Sequence, residues 1–488
     1  PAGLAFWHSR SHLAEQSAGD AADTVGVHRV DAELAGQALH GRGAHVGLDV
    51  LAVQQVVKRA LAQCALGRAH LVDFEQVKHR AQHGKPAPDH RAPVVLQAFD
   101  AQIVAQNLVG GADSYPLMAV PFFMLAGELM NAGGLSRRII ALAVTLLGHW
   151  RGGLGYVAVL AALVMASISG SAVADTAALA AILVPMMKQA GYRLDRSCGL
   201  IAAGGIIAPI IPPSIGFVVF GVAAGVSITR LFLAGIVPGI LMGMGLLIAW
   251  YIVARNEPVA RKERANLREI GRSLFDGLWA LALPVLIIGG MKIGAFTPTE
   301  AAVVAAVYAF FVGMFIYREL KIEHLRPALL GAIKTSAAVM FLVGAAMVSA
   351  WLITIADIPG EVTRAFGPIV NHPALLMIAM MVLVFLVGTA LDFIPTVLIL
   401  TPVLMPLVKQ AGIDPVYFGV LFIMNNAIGL LTPPVGTVLN VVCAVAGVPM
   451  DRVIRGVMPF LIAQLIVMAL LIAFPVLVTG PARLFYGR

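Results

Sequence analysis

The sequence predicts an all-α, polytopic membrane protein with an internal duplication, and three observations carry that expectation. Of 488 residues, 59% are hydrophobic and only 12% charged, at a mean hydropathy of +0.88, whereas a soluble domain carries roughly 25% charged residues. From Phe99 onward the chain is a succession of apolar runs of about 17–25 residues, the length that crosses a hydrocarbon core as helix, without the ten-residue alternation of a membrane barrel. Finally, "VPMMKQAG" at 184–191 recurs as "MPLVKQAG" at 405–412, and the same offset of 221 residues carries Pro212 and Pro213 onto Pro433 and Pro434, and Pro238 onto Pro459. The net charge of +8 falls mainly in short connecting loops, where Lys and Arg mark cytoplasmic faces, so it does not indicate nucleic-acid binding. Cys64, Cys198 and Cys443 are odd in number and far apart, so no disulfide framework or clustered thiolate metal site is suggested.

Residues 1–98 differ from the rest. They hold nine of the twelve histidines, ten Lys or Arg and nine Asp or Glu, and no 18-residue apolar run. The charged start, apolar centre and small-residue cleavage site of a signal peptide are missing. His8 and His12 share a helical spacing, but no further ligand completes a metal site. The expectation is a polar segment that is disordered or non-native, the product of a reading-frame or strand error.

The elements then follow in order. Residues 99–254 form a first repeat: "YPLMAVPFFMLAGELM" and "RRIIALAVTLLGHW", the long run "GGLGYVAVLAALVMASISGSAVADTAALAAILVPMM", a broken segment from Leu200 to Ala224, and the span "LFLAGIVPGILMGMGLLIAWYIV". Residues 255–335 begin with a loop carrying Arg255, Arg261, Lys262, Arg264, Arg268 and Arg272, the clearest cytoplasmic marker, expected to lie on the membrane surface as an amphipathic helix. Connecting scaffold helices follow, and residues 336–488 form the second repeat.

Each repeat has a Pro-Pro pair inside an apolar segment, in "IAPIIPPSIGF" and "GLLTPPVGT", and a small, polar tip upstream of it, "SISGSAVADT" and "LVGTALDFIPT". Proline lacks an N–H, clashes with the carbonyl one turn back and pushes the preceding residue out of helical geometry, so each pair separates two half-helices. Bare backbone is tolerated at membrane depth only beside protein or a water-filled cavity. There, carbonyls ending one half-helix can ligate a cation such as Na⁺, and N–H groups opening the next can face an anion. Duplicated modules with paired interruptions indicate a secondary transporter whose site lies between the repeats. Asp175 and Asp392 are rare ionisable groups in membrane segments and add to this reading, although the offset does not superpose them. Asn425 and Asn426 precede the second break and are placed to line a cavity. Glu128 and Glu300 suit either interhelical hydrogen bonding or function, and Lys188 and Lys409 are expected to snorkel to the interface.

The stretches "GSAVADTAALAAILVPMMKQAGY", "APIIPPSIGFVVFG", "GAFTPTEAAVVAAVYA" and "NNAIGLLTPPVGTVLNV" resemble the large membrane subunit of tripartite ATP-independent periplasmic (TRAP) transporters, within the wider ion-transporter superfamily. The resemblance runs from about Phe99 to the C-terminus. It implies an elevator-type fold with two re-entrant hairpins and two Pro-Pro broken helices in the bacterial inner membrane. It also implies Na⁺-coupled import of organic acids, with Na⁺ as coupling ion and no other cofactor, a small four-helix membrane subunit and a periplasmic substrate-binding protein. "DAQIVAQNLVGGADSYPLMAVPFFMLAGELMNAGGLSRR" is most similar to members handling sugar acids or keto acids, with C4-dicarboxylates the other substrate class. Members of the family begin with a membrane span before this stretch, where this chain has its polar residues. Carried over by resemblance, the ion and substrate region comprises Ser169, Gly170, Ser171, Asp175, Pro212, Pro213 and Ser214 in the first repeat. In the second it comprises Gly388, Thr389, Asp392, Thr396, Thr432, Pro433, Pro434, Gly436 and Thr437. Two alternatives stand beside this: a self-sufficient Na⁺ or H⁺ symporter of the same superfamily, and an intramembrane enzyme. The enzyme would need a catalytic constellation, and no His-Glu metal motif, Gly-x-Ser-x-Gly elbow or paired catalytic Asp motif is found.

Overall fold

A computed structural model describes residues 101–255 and 264–480. The polar segment expected at 1–98 lies outside the described residues. Among the described residues the regular elements are all helical, and eight helices are long and apolar enough to cross a membrane.

The first repeat opens with α1 (Ala101–Ala112), a 3-10 turn (Tyr115–Met118) and α2 (Ala119–Ala132), bent by 51° between α1 and the turn. The bend falls where Ser114 is extended and Pro116 enters the next turn. After α3 (Leu135–Leu147) comes a helical hairpin of α4 (Gly153–Ser169) and α5 (Ala172–Gln189). The long apolar run expected there is thus folded back at Gly170, whose φ of 62° ends α4 in the left-handed region, while Ser171 caps α5 by accepting the Ala174 N–H at 3.4 Å. Then follow α6 (Leu194–Gly205), the break, α7 (Ile215–Ala224) and α8 (Ile228–Ala254).

Between the repeats lie α9 (Leu267–Lys292) and α10 (Pro298–Phe311), which runs on as a short π turn, Val312–Ile316. Arg268 and Arg272 sit in the opening turns of α9, within one continuous 26-residue helix rather than a separate surface helix, and residues 256–263 of that loop lie outside the described residues. Asn266 and Glu269 form a capping box that starts the helix there.

The second repeat comprises α11 (Ile322–Ile355), α12 (Ile358–Val370), the hairpin α13 (Pro373–Ala390) and α14 (Phe393–Gln410), α15 (Pro415–Gly429), α16 (Thr437–Ala446) and α17 (Met450–Ala473). Its elements keep the sequence offset: α5 and α14 start 221 residues apart and are both 18 residues long, and α7 and α16 are both ten residues long. The boundary expected between 335 and 336 falls inside α11, whose 34 unbroken residues occupy the place of the bent α1–α2 pair.

The repeats are interlocked. α5 packs on α16 of the other repeat and α14 packs on α7, so each hairpin seats against the half-helix beyond the other repeat's break; α6 likewise crosses α17, and α15 crosses α8. The core between them is dense in aromatic and aliphatic side chains, with Phe220 against Phe418 and Phe422 across the repeat boundary at ring separations of 6.3 and 5.6 Å.

Candidate functional site between the hairpin tips

Both breaks are stretches of non-helical backbone held in place by their own hydrogen bonds. In the first, Ser214 Oγ donates to the Pro209 carbonyl at 2.5 Å and accepts the Phe217 N–H at 3.1 Å, which closes the break and caps α7 with one hydroxyl. Pro212, Pro213 and Ser214 are buried. In the second, the Thr432 N–H bonds to Gly429 O at 2.9 Å and the Val435 N–H reaches Thr389 O at 3.3 Å, tying the break to the second hairpin tip. Gly436, in the left-handed region at φ 51°, then starts α16. Pro433 and Pro434 are exposed, unlike their counterparts. Both Pro-Pro bonds are cis.

The first tip lies directly on the first break. A Cβ on Gly170 would come within 2.4 Å of Pro213 O, so the tip fits there because residue 170 has no side chain. At the second tip, a Cβ on Gly388 would meet Asn426 Oδ1 at 2.9 Å.

A cavity of about 350 Å³ opens between these parts. Ser169, Gly170 and Ser171 line it from the first tip, Asp392 and Phe393 from the start of α14, and Pro209, Ile215 and Leu430 from the edges of the breaks. Its remaining wall comes from α2 and α11, with Glu128, Asn131 and Thr335 as polar members. Behind the first tip, Asp175 is 2% exposed and accepts a short hydrogen bond from Ser169 Oγ on one carboxylate oxygen. Its other oxygen, Asp175 Oδ2, has no partner among the described residues, and neither do the buried Asn426 Oδ1 and Thr437 Oγ1. Buried acceptors without donors are costly in an apolar surrounding.

Of the residues carried over by resemblance, Ser169, Gly170, Ser171 and Asp392 line the cavity, and Asp175 stands one contact behind it. The others hold the frame. Thr396 Oγ1 donates to Asp392 O at 2.9 Å, fixing the turn that presents Asp392, and Thr432 Oγ1 donates to Ile428 O at 3.3 Å. The Asn425 side chain donates to Met381 O, which pins α15 to α13 instead of facing the cavity, whereas Asn426 Nδ2 caps Phe393 O at 2.9 Å. Glu300 is engaged locally: Glu300 Oε2 accepts the N–H and the hydroxyl of Thr297, each at 2.8 Å, in a capping box at the start of α10. Glu128 faces α11 at Gly331, where a Cβ would lie 3.2 Å from its Oε1. Asn131 and Thr335 were not anticipated; the only sequence signal was that Glu128 and Asn131 stand three apart and share a helix face.

Residues 52–477 match the family described as the DctM component of the tripartite ATP-independent periplasmic transporter. The chain belongs to this family. The match begins within the segment 1–98. Over 388 residues the TRAP permease described here is 56% identical to the large permease protein of a 2,3-diketo-L-gulonate TRAP transporter of Escherichia coli, a match covering 80% of this chain and 91% of that protein. It is 39% identical to the sialic acid TRAP large permease of Vibrio cholerae (81% and 92% covered) and 38% identical to the C4-dicarboxylate one of Pseudomonas aeruginosa (76% and 87% covered). Among solved structures it shares its fold with the YdaH transporter of Alcanivorax borkumensis, with a TM-score of 0.59 at 16% identity over 79% of this chain and 91% of that one. This TRAP permease is accordingly a multi-pass inner-membrane transport subunit.

Proposed function

We propose that this TRAP permease is the membrane-embedded subunit of a Na⁺-coupled importer of organic acids, fed by a periplasmic substrate-binding protein and assembled with a small four-helix membrane subunit. The observation that carries the proposal is the cavity flanked by both hairpin tips, with Asp392 on its wall and the unpartnered Asp175 Oδ2 behind it. Hydroxyl, carboxylate and carbonyl oxygens are hard ligands that suit Na⁺, and half-helix ends beside them provide the dipoles that favour ions at such a site. An acid anion in the same cavity meets the opening N–H groups of α5, whose first turn starts at the cavity wall. A sugar-acid or keto-acid substrate is favoured by the 56% identity to a diketogulonate permease. Transport by an elevator movement would carry the interlocked hairpins and half-helices together as one body past α2 and α11.

The test is uptake into proteoliposomes. The chain together with its small subunit and loaded binding protein is expected to accumulate 2,3-diketo-L-gulonate or a related acid only when Na⁺ is present outside. Undiminished uptake with choline replacing Na⁺ under an imposed proton gradient would assign coupling to H⁺. Robust uptake by the isolated chain would identify a self-sufficient symporter instead.

A further inference from the structure

At the end of the molecule where α5 stops and α6 and α17 begin lies a recess of about 870 Å³, distinct from the central cavity. It exists because α6 and α17 cross backbone to backbone: a Cβ on Gly456 would fall 2.0 Å from Asp195 O, and one on Gly199 would fall 2.6 Å from Val457 N. The crossing sets the two helix N-termini side by side. Neither N-cap residue, Arg193 before α6 or Pro449 before α17, supplies a side-chain cap, and Asp195 and Asp451 stand in the two first turns. Such termini favour an anion. Around them stand Lys188, Arg193, Arg196, Arg452 and Arg455, against a single lining carboxylate. That carboxylate, Asp195, is held by Arg193 at 2.7 Å and by the Arg196 N–H at 2.9 Å.

An apolar groove of about 490 Å³ runs along the outside of α8 and α17, lined by Met244, Ile248 and Ile252 on one side and Ile462, Ile466 and Leu470 on the other. Val253 and Pro459 line both the groove and the recess, so the two adjoin each other. α8 ends at Ala254, next to Arg255 and the basic loop, which places the recess at the cytoplasmic face by the positive-inside rule. A cationic recess at headgroup level thus adjoins an apolar groove running toward the membrane interior.

A soluble anion would use the recess and gain nothing from the groove. A zwitterionic lipid would bring its ammonium into a ring of cations. A lipid with a net negative phosphate headgroup satisfies both halves, and basic pockets between helices on the cytoplasmic side suit such headgroups. We infer that the recess and groove together bind one anionic phospholipid of the inner leaflet, its phosphate beside Arg452 and Arg455 and an acyl chain laid between α8 and α17.

The experiment uses the full chain, extracted in mild detergent, delipidated and titrated by native mass spectrometry with dioleoyl phosphatidylglycerol, dioleoyl phosphatidylcholine or sn-glycerol 3-phosphate. One phosphatidylglycerol is expected to bind in preference to phosphatidylcholine. Arg452→Gln with Arg455→Gln should weaken that binding by about thirtyfold, the loss of two cations near a membrane surface, while Arg452→Lys with Arg455→Lys should retain most of it. Met244→Trp with Ile466→Trp, which fills the groove, should weaken phosphatidylglycerol without changing the response to glycerol phosphate. Equal binding of the two lipids, or indifference to both the Gln pair and the Trp pair, would overturn the inference. Glycerol phosphate displacing phosphatidylglycerol at equal concentration would mark a soluble-anion site and overturn it as well. If the Gln pair fails to assemble, the Lys and Trp pairs decide between the same outcomes.

Discussion

At Gly170 the backbone takes a φ of 62°, and the Pro213 carbonyl occupies the space a side chain would need. Gly170→Ala therefore meets two penalties together: a left-handed conformation costing about 1–2 kcal/mol and a contact with backbone that has little room to yield. Uptake is expected to fall by roughly tenfold or more as the tip lifts from the break. The equivalent position of the second tip is Leu391, extended at φ −107°, so Leu391→Ala should be tolerated in the same assay. Asp392 and Asp175 test ion coupling. Asp392→Ala removes a carboxylate from the cavity wall and Asp175→Asn removes the one behind the tip while keeping an acceptor for Ser169. Each is expected to raise the Na⁺ concentration for half-maximal uptake by about tenfold, equivalent to a charge interaction of some 1.4 kcal/mol. A milder rise is expected for Thr432→Ala, whose hydroxyl is already engaged by Ile428 O. Unchanged Na⁺ dependence in both carboxylate variants, with normal membrane insertion, would place the ion elsewhere.

Between elements, the two repeats solve one packing problem in opposite ways. In the first, Thr176 Oγ1 donates to Ala172 O at 2.6 Å, and Gly205 of α6 leaves room for it; a Cβ there would sit 1.7 Å from that hydroxyl. In the second, the matching positions are Val397 and Asn426, and the Asn426 amide reaches across from α15 to the matching carbonyl of Phe393. Gly205→Ala alone should destabilise the assembled protein, and Thr176→Ala should recover part of the loss, with a coupling of about 0.5–3 kcal/mol in a thermal-stability double-mutant cycle. Additive effects would mean that α5 and α6 relax apart at no cost. Such pairs mark the limit of what the sequence could disclose. The Pro-Pro breaks, the tips and the 221-residue offset were legible because proline and glycine act on their own backbone. The interlocking of α5 with α16 and α14 with α7 was not, because nothing local states which apolar face meets which. The same holds for Asn131 and Thr335, ordinary polar residues until α2 and α11 bring them to one cavity. The local bond of Glu300 was legible too, since Thr297-x-x-Glu300 is itself the spacing of a capping box.

At the scale of the whole chain, both repeats contribute to the cavity, and α11, the longest helix among the described residues, passes it with residues Thr335 to Leu342, at the middle of a 34-residue element. At 1.5 Å per residue α11 is about 51 Å long, more than a hydrocarbon thickness of roughly 30 Å, so it must tilt or extend beyond the membrane core. Sites at the interface of transporter repeats lie near the bilayer midplane, so a depth of about half is expected for this cavity. That depth has an electrical consequence. A cation reaching the cavity from outside crosses about half of the transmembrane voltage before it is bound, worth roughly 1.2 kcal/mol at 100 mV, negative inside. Its apparent affinity from outside should then strengthen about sevenfold when a potassium diffusion potential of that size is imposed with valinomycin. Voltage-independent Na⁺ affinity would mean that the ion is captured at the outer surface, before any of the field has been traversed.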